Sequence, residues 1–324
     1  MTSVLRVGTR GSELALAQTK VVAAALGKAS GLEVELVTVT THGDTSRESL
    51  SSLGGTGVFA SALRESLLAE ECDVIVHSLK DLPTDPYPGL AIGAVPRRAD
   101  ARDVLCARDE STLQSLPDGS RIGTGSPRRV AQVLAARPDV DIVDIRGNVG
   151  TRLGRVTADP SDPDRLDAVI LAAAGLGRLG RSDVATDTFS LSDWPTAPGQ
   201  GALALEVRDG EQRGSAPLAK ALASVNHATT RATVSAERLV LAGLEAGCAA
   251  PIGTTAQIDD GLLFLTATVY KPDGTQRITS SHATSLEGAA QHALLAAAKD
   301  AAARVVAELL DAGAAELAPV GGAS

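Results

Sequence analysis

Apolar and polar positions alternate along this chain in a repeating order: a short apolar run, a polar turn, then apolar residues spaced three and four apart. Val4–Gly8 predicts a buried strand and Leu14 to about Leu26 an amphipathic helix. Between them lies Thr9-Arg10-Gly11-Ser12, with Ser12 suited to cap the helix. Val34–Thr40 alternates as a second strand, Val58–Ala69 reads as a helix and Asp73–His77 as a third strand. Ser78-Leu79-Lys80-Asp81-Leu82-Pro83 follows directly on that strand's end. Thr41 to Gly57 is polar and glycine-rich, and it is long for a connection, so a lid or a locally disordered segment is expected there.

The same design restarts after Pro96–Asp103, without a close sequence repeat. Asp103–Ala107, Arg121–Gly123, Asp141–Ile145 and Ala168–Ala172 read as strands. Turns holding Thr124-Gly125-Ser126-Pro127-Arg128-Arg129 and Arg146-Gly147-Asn148-Val149-Gly150-Thr151-Arg152 lead into helices, the first running to Arg137. After the connector Pro195–Gly201, Gly201–Arg208 is a strand that can return to a first lobe. Pro217–Leu244 is expected to be helical, Leu262–Tyr270 and Gln276–Ser281 to be strands, and Leu286–Leu310 a long helix, with a frayed tail after Ala318. Strands alternating with helices predict parallel α/β sheets, whose ligands sit beyond the carboxyl ends of the strands.

Composition narrows the partners. A net charge of -9 and 2% aromatic residues argue against nucleic-acid binding. Three scattered cysteines give neither a disulfide framework nor a CxxC metal spacing, and the five histidines form no HExxH pattern, so no metal is expected. The N-terminus lacks an apolar signal core and no run is long enough for a membrane span, so the cytoplasm is the expected compartment.

Against the acidic background, Arg121 to Arg181 holds ten arginines and seven aspartates, a local charge of +3. Arg128, Arg129, Arg146, Arg152 and Arg178 fall in or just after strand-to-helix turns, where a guanidinium fork can pair carboxylate or phosphate. A single such arginine is usually a solvated surface residue, but several on one sheet rim suggest a ligand with several anionic groups. Lys80 and Asp81 read either as a surface ion pair or as a cation and a carboxylate held in a cleft for proton or charge work. Gly175-x-Gly177-x-x-Gly180 matches a dinucleotide fingerprint weakly, because Ser182-Asp183 and Trp194-Pro195 cut short the helix such a site needs. Cys248 lies in the small-residue turn Leu244–Gly253, a setting that Cys72 and Cys106 lack.

Six segments in order resemble the porphobilinogen deaminase (hydroxymethylbilane synthase) family: Thr9–Ser12, His77–Pro83, Gly123–Arg129, Ile145–Arg152, Pro198–Ala202 and the Cys248 loop. The resemblance implies an α/β fold in three domains: two periplasmic-binding-protein-like lobes around a cleft, and a smaller C-terminal α/β domain. On that basis residues 1–98 and 199–218 form the first lobe, 101–195 the second, and 222–318 the C-terminal domain. It implies a monomeric transferase that condenses four porphobilinogen molecules head to tail, with loss of ammonia, and releases linear hydroxymethylbilane. It also implies a dipyrromethane cofactor, built from substrate and attached by a thioether to Cys248. The matching positions assign catalysis to Asp81. They assign cofactor contacts to Ser78, Lys80, Asp81, Thr124, Ser126, Arg128, Arg129, Arg146 and Gly147, and substrate contacts to Arg10, Ser12, Arg152, Arg178 and Phe59. Two departures stand out: Thr56 replaces a lysine common in relatives, and Gly177 a frequent basic residue. The competing reading from another class is a two-lobed anion-binding protein without catalysis, which would have no use for the thiol of Cys248.

Overall fold

The computed structural model describes residues 4–40, 60–246 and 250–318. Strand β1 (Val4–Arg10) leads through Ser12 into helix α1 (Glu13–Ser30). The Ser12 hydroxyl accepts from the Ala15 N–H at 3.3 Å, so the expected cap is present. Then come β2 (Glu33–Val39), α2 (Ser61–Leu68), β3 (Val74–Ser78) and β4 (Leu90–Ala94). The second lobe holds β5 (Asp103–Ala107), β6 (Arg121–Gly123), α3 (Pro127–Ala136), β7 (Asp141–Val143), α4 (Val149–Val156), β8 (Ala168–Ala172), α5 (Ala173–Arg178) and β9 (Asp187–Thr188). Strand β10 (Leu203–Arg208) returns to the first lobe, followed by α6 (Pro217–Val225). Helix α7 (Ala228–Gly243), strands β11 (Ile252–Asp259), β12 (Leu262–Tyr270) and β13 (Arg277–Ser285), α8 (Gln291–Asp311) and the short α9 (Ala314–Leu317) complete the fold.

The two lobe sheets have one design. The first runs β2-β1-β3-β10-β4 and the second β7-β6-β8-β5-β9. In each, three parallel strands are followed by an antiparallel insert, β10 or β5, which is the first strand laid down after the chain crosses over. This is the two-lobed, periplasmic-binding-protein-like arrangement expected, with a smaller α/β domain attached. The central strands β3 (VIVHS) and β8 (AVILA) are buried on both faces up to their last residues, which is why β8 reads as an unbroken apolar run and β3 as one as far as Val76. The third domain is an antiparallel meander, β11-β12-β13, packed with α7 and α8 around an alanine-rich core. Alanine lets helix and sheet approach closely where aromatics are scarce.

Two crossings link the lobes, residues 95–102 and 189–202. They meet where the Ala99 N–H donates to Gly201 O at 3.1 Å. Gly201 has φ +84°, and a Cβ there would lie 2.8 Å from Ala99 O, so only glycine allows the two crossings so close.

The structure corrects several expected elements. Pro217–Leu244 is not one helix: it breaks between α6 and α7 at Asn226 and His227. Asn226 Oδ1 accepts from the Val95 N–H at 3.0 Å and the His227 N–H donates to Val95 O at 2.8 Å, so the break fastens both residues to the crossing. His227 Nδ1 then caps α7 by accepting from the Thr230 N–H. Helix α6 shares its core with the first lobe through Ala221 and Leu222. The long C-terminal helix begins at Gln291 rather than Leu286, and β4 and β11 were not anticipated. Helix α5 ends after six residues, the shortness that argued against a dinucleotide site.

Candidate active site

The site lies between the lobes, beyond the carboxyl ends of β1, β3 and β8. Strand β3 ends at Ser78 and turns at once into a single 3-10 turn, Leu79–Asp81. Leu79 and Leu82 are buried beneath this turn, which leaves Lys80 half-buried and Asp81 exposed. A cavity of about 120 Å³ opens here, lined from the first lobe by Arg10, Ser12, Ser78, Lys80 and Asp81, and from the second by Arg178. Arg178 Nη2 donates to Gly201 O at 2.7 Å, which sets its guanidinium against the crossing. Lys80 Nζ donates to Gln200 Oε1 at 3.2 Å. Burial, together with the nearby charges of Arg129 and Arg128, outweighs Asp81 and Asp103 and brings Lys80 down to about 8.

The second lobe supplies the arginines. Arg128 and Arg129 occupy the first turn of α3, and both are buried. Arg128 Nη1 reaches Asp103 Oδ2 at 2.8 Å and Gln132 Oε1 at 2.6 Å. Arg129 Nη2 reaches Asp103 Oδ1 at 2.6 Å and its Nη1 reaches Ile170 O at 2.9 Å. Asp103 also accepts from Trp194 Nε1 at 3.1 Å and Gln200 Nε2 at 2.8 Å. Burial alone would raise the Asp103 carboxyl; Arg128 and Arg129, with the Gln200 bond, outweigh it and hold it far below the carboxylate range. Arg128 and Arg129 are thus anchored from behind by a buried acid.

Arg146 and Arg152 belong to the same electrostatic neighbourhood. Burial lowers Arg152, and Arg129 and Arg146 lower it further, against Asp144. Arg152 Nε donates to Gly147 O at 2.9 Å. Gly147 has φ +101°, so the turn before α4 needs a residue without Cβ. Thr124 is buried at the end of β6, and Ser126 precedes α3 without a side-chain capping bond. Among the described residues, Nε of Arg128, Arg129 and Arg146 is buried without a hydrogen-bond partner. Unfilled donors on neighbouring arginines fit an anionic ligand that would complete them.

The structure therefore brings Arg10, Ser12, Ser78, Lys80, Asp81 and Arg178 onto one cavity, and sets Arg128 and Arg129 close enough to act on Lys80 across the crossing. Cys248, Phe59, Thr56 and the Thr41–Gly57 segment lie outside the described residues. Sequence reasoning gave no role to Asp103, Gln200 or Glu237. Glu237 is fully buried on α7, and its carboxylate accepts from Arg98 at 2.7 and 3.0 Å and from the Gly199 N–H at 2.8 Å, gripping both crossings. No local signal marked Asp103, which follows Arg102 at the edge of the apolar run Val104-Leu105-Cys106.

The result is a two-lobed protein whose cavity takes Arg10, Lys80 and Asp81 from one lobe and Arg178 from the other, with the buried Arg128 and Arg129 close to Lys80. Its relatives define it further. The family model for the porphobilinogen deaminase dipyrromethane cofactor-binding domain matches residues 5–216, and that for the porphobilinogen deaminase C-terminal domain matches residues 231–302. Porphobilinogen deaminase of Leifsonia xyli is 68% identical over 318 residues, covering 98% of this chain and 95% of that protein. The Cutibacterium acnes enzyme is 51% identical over 327 residues, covering 98% and 97%. The chain belongs to the porphobilinogen deaminase family, transferases of tetrapyrrole biosynthesis that use a dipyrromethane cofactor. Among solved structures, the methionine-binding protein MetQ is similar at a TM-score of 0.43 and 12% identity, covering 68% of this chain and 89% of that one. The strand order, not that likeness, defines the fold.

Proposed function

We propose that Asp81 is the catalytic group of this deaminase and that the cationic cleft holds the carboxylates of cofactor and substrate. The observation that carries this reading is one cavity lined by Arg10, Lys80 and Asp81 from the first lobe and by Arg178 from the second, with Arg128 and Arg129 close enough to act on Lys80. Each pyrrole bears an acetate and a propionate, so a ligand made of linked pyrroles is polyanionic. Lys80, Arg128, Arg129 and Arg146, with Ser78, Thr124, Ser126 and the Gly147 backbone, would hold the dipyrromethane. Arg10, Ser12, Arg152 and Arg178 would take the incoming porphobilinogen. When bound, dipyrromethane supplies the nucleophilic pyrrole carbon. Asp81 accepts the pyrrole N–H of the substrate and stabilises the positive charge left on that ring as ammonia departs. Its carboxylate is exposed at the cavity, and among the described residues no donor is committed to it, so it is available for this work. Asp103 is not, because four residues already fill it.

Cys248 is the attachment point in this reading, and the test is direct. The intact mass of acid-denatured protein, with a peptide map around Cys248, should show an excess of about two substrate-derived pyrrole units there. Protein that stays bare after incubation with porphobilinogen would leave the non-catalytic anion-binding reading in its place. That alternative is not favoured, given the family.

The compartment and state follow the same reading: a monomer in the cytoplasm acting on small molecules alone. The cavity is lined from both lobes of one chain, and Cys72 and Cys106 are free, buried thiols. No helix among the described residues is long and apolar enough to cross a membrane. Light scattering at micromolar protein checks the monomer; a dimer mass would contradict it.

A further inference from the structure

The turn that carries Lys80 and Asp81 is three residues long, and a helix this short has almost no ladder of its own to fix it. Its start is held where the Leu79 N–H donates to Ala202 O at 3.0 Å, and it closes where the Leu82 N–H reaches Leu79 O at 3.3 Å. The remaining constraint comes from another domain. Arg238, on α7, donates from Nη1 to Leu79 O at 3.0 Å and Leu82 O at 2.8 Å, and from Nη2 to Pro83 O at 2.6 Å. One planar guanidinium thus takes the carbonyls on both sides of Lys80-Asp81. Val234, one helical turn earlier on α7, shares an apolar cluster with Leu79 and Leu82. Glu237, beside Arg238, grips both crossings. This stretch of α7 therefore brackets the base of the turn and the two crossings together.

We propose that Arg238 is a positioning residue for Asp81. Its acceptors among the described residues are backbone carbonyls rather than reacting atoms. It fixes the turn so that the Asp81 carboxylate meets the substrate in one orientation, and it ties that turn to the helix that leads, ten residues on, to Cys248. The inference rests on the role assigned to Asp81 above. The guanidinium suits the task because its donors are set in a rigid fork, whereas a lysine ammonium offers one flexible point charge. A loosened carboxylate is costly in rate, since misplacement of about 1 Å can cost ~100-fold.

The test uses the cofactor-loaded enzyme carrying Arg238→Met, Arg238→Lys, Asp81→Glu and the double change Asp81→Glu/Arg238→Met. Intact mass gives cofactor occupancy, and steady-state assays give kcat and KM for porphobilinogen. Arg238→Met should lower kcat about 10- to 100-fold at normal occupancy, with KM nearly unchanged. Arg238→Lys should recover part of that loss. The double variant should be no slower than Asp81→Glu, because a carboxylate already displaced gains nothing from the clamp. Wild-type kcat in Arg238→Met would overturn the inference, as would the same fold-loss in both Asp81 backgrounds, or a loss that merely tracks occupancy. If Arg238→Met does not fold, Arg238→Lys carries the same cycle with the charge kept. Wild-type turnover in Asp81→Glu would show that the carboxylate needs no fixed position and would overturn this inference, whereas near-normal turnover in Asp81→Asn would remove the role of Asp81 itself.

Discussion

The two lobes share a strand order and bring opposite chemistry to the cleft. The first presents Asp81 and Lys80 on a turn at the end of β3; the second presents arginines at the starts of α3 and α4. Two aspartates close to this boundary, one from each lobe, have different fates. Asp103 is buried and accepts from Arg128, Arg129, Trp194 and Gln200. Asp81 is exposed to the cavity, and among the described residues no donor is committed to its carboxylate. What separates a structural acid from a chemical one is how many donors already fill it. The arginine-rich lobe needs the filled one, because buried cations without a partner are strongly unfavourable. The other lobe can leave its acid open.

This contrast can be broken from either side. The largest effect expected is on rate: Asp81→Asn should lower kcat by about 10²- to 10⁴-fold with no shift in the urea midpoint. Near-normal turnover would remove the distinction. Asp103→Asn should do the reverse in kind, costing about 3–5 kcal/mol of stability by leaving Arg128 and Arg129 buried beside a neutral amide. A midpoint equal to wild type would show that the two arginines do not depend on it. Arg146→Leu or Arg152→Leu should lower kcat/KM by about 10- to 100-fold, through carboxylates left unpaired in the cleft. Unchanged kinetics for both would make them solvent-facing.

The smallest effect is a pH dependence at Lys80. Its ammonium is held near 8, below the ordinary 10.5, so its charge is lost as pH rises through about 8. Binding of carboxylates should weaken over that range, and kcat/KM should show an alkaline limb that Lys80→Arg moves upward. Stability has the opposite sign. The unfolded chain keeps that proton up to about 10.5, so this group makes stability rise between pH 8 and 10.5. A limb unmoved in Lys80→Arg would assign it to another group.

Much of the lobe architecture is legible in the sequence because it is local. The bounds of β6 and β8, the Ser12 cap and the return of β10 follow from apolar runs and turn chemistry a few residues long. What was missed depends on distant partners. No glycine or proline marks the break at Asn226-His227; Val95, more than 130 residues earlier, makes it. Leu90–Ala94 and Ile252–Asp259 lack clean alternation, and both owe their strand state to neighbours across a sheet. The rim arginines were visible as a pattern, whereas the acid behind them was not, since Asp103 meets Arg128, Trp194 and Gln200 only in the folded chain. Arg238 was invisible for the same reason: its acceptors are carbonyls some 155 residues away.

The most direct test of the division between Asp81 and the arginine wall is the intact mass of Asp81→Asn protein before and after incubation with porphobilinogen. The account predicts a cofactor mass on Cys248 that gains few or no further pyrrole units in the time wild type runs through its series. A mass ladder that forms at the wild-type rate would show that the chemistry does not depend on Asp81.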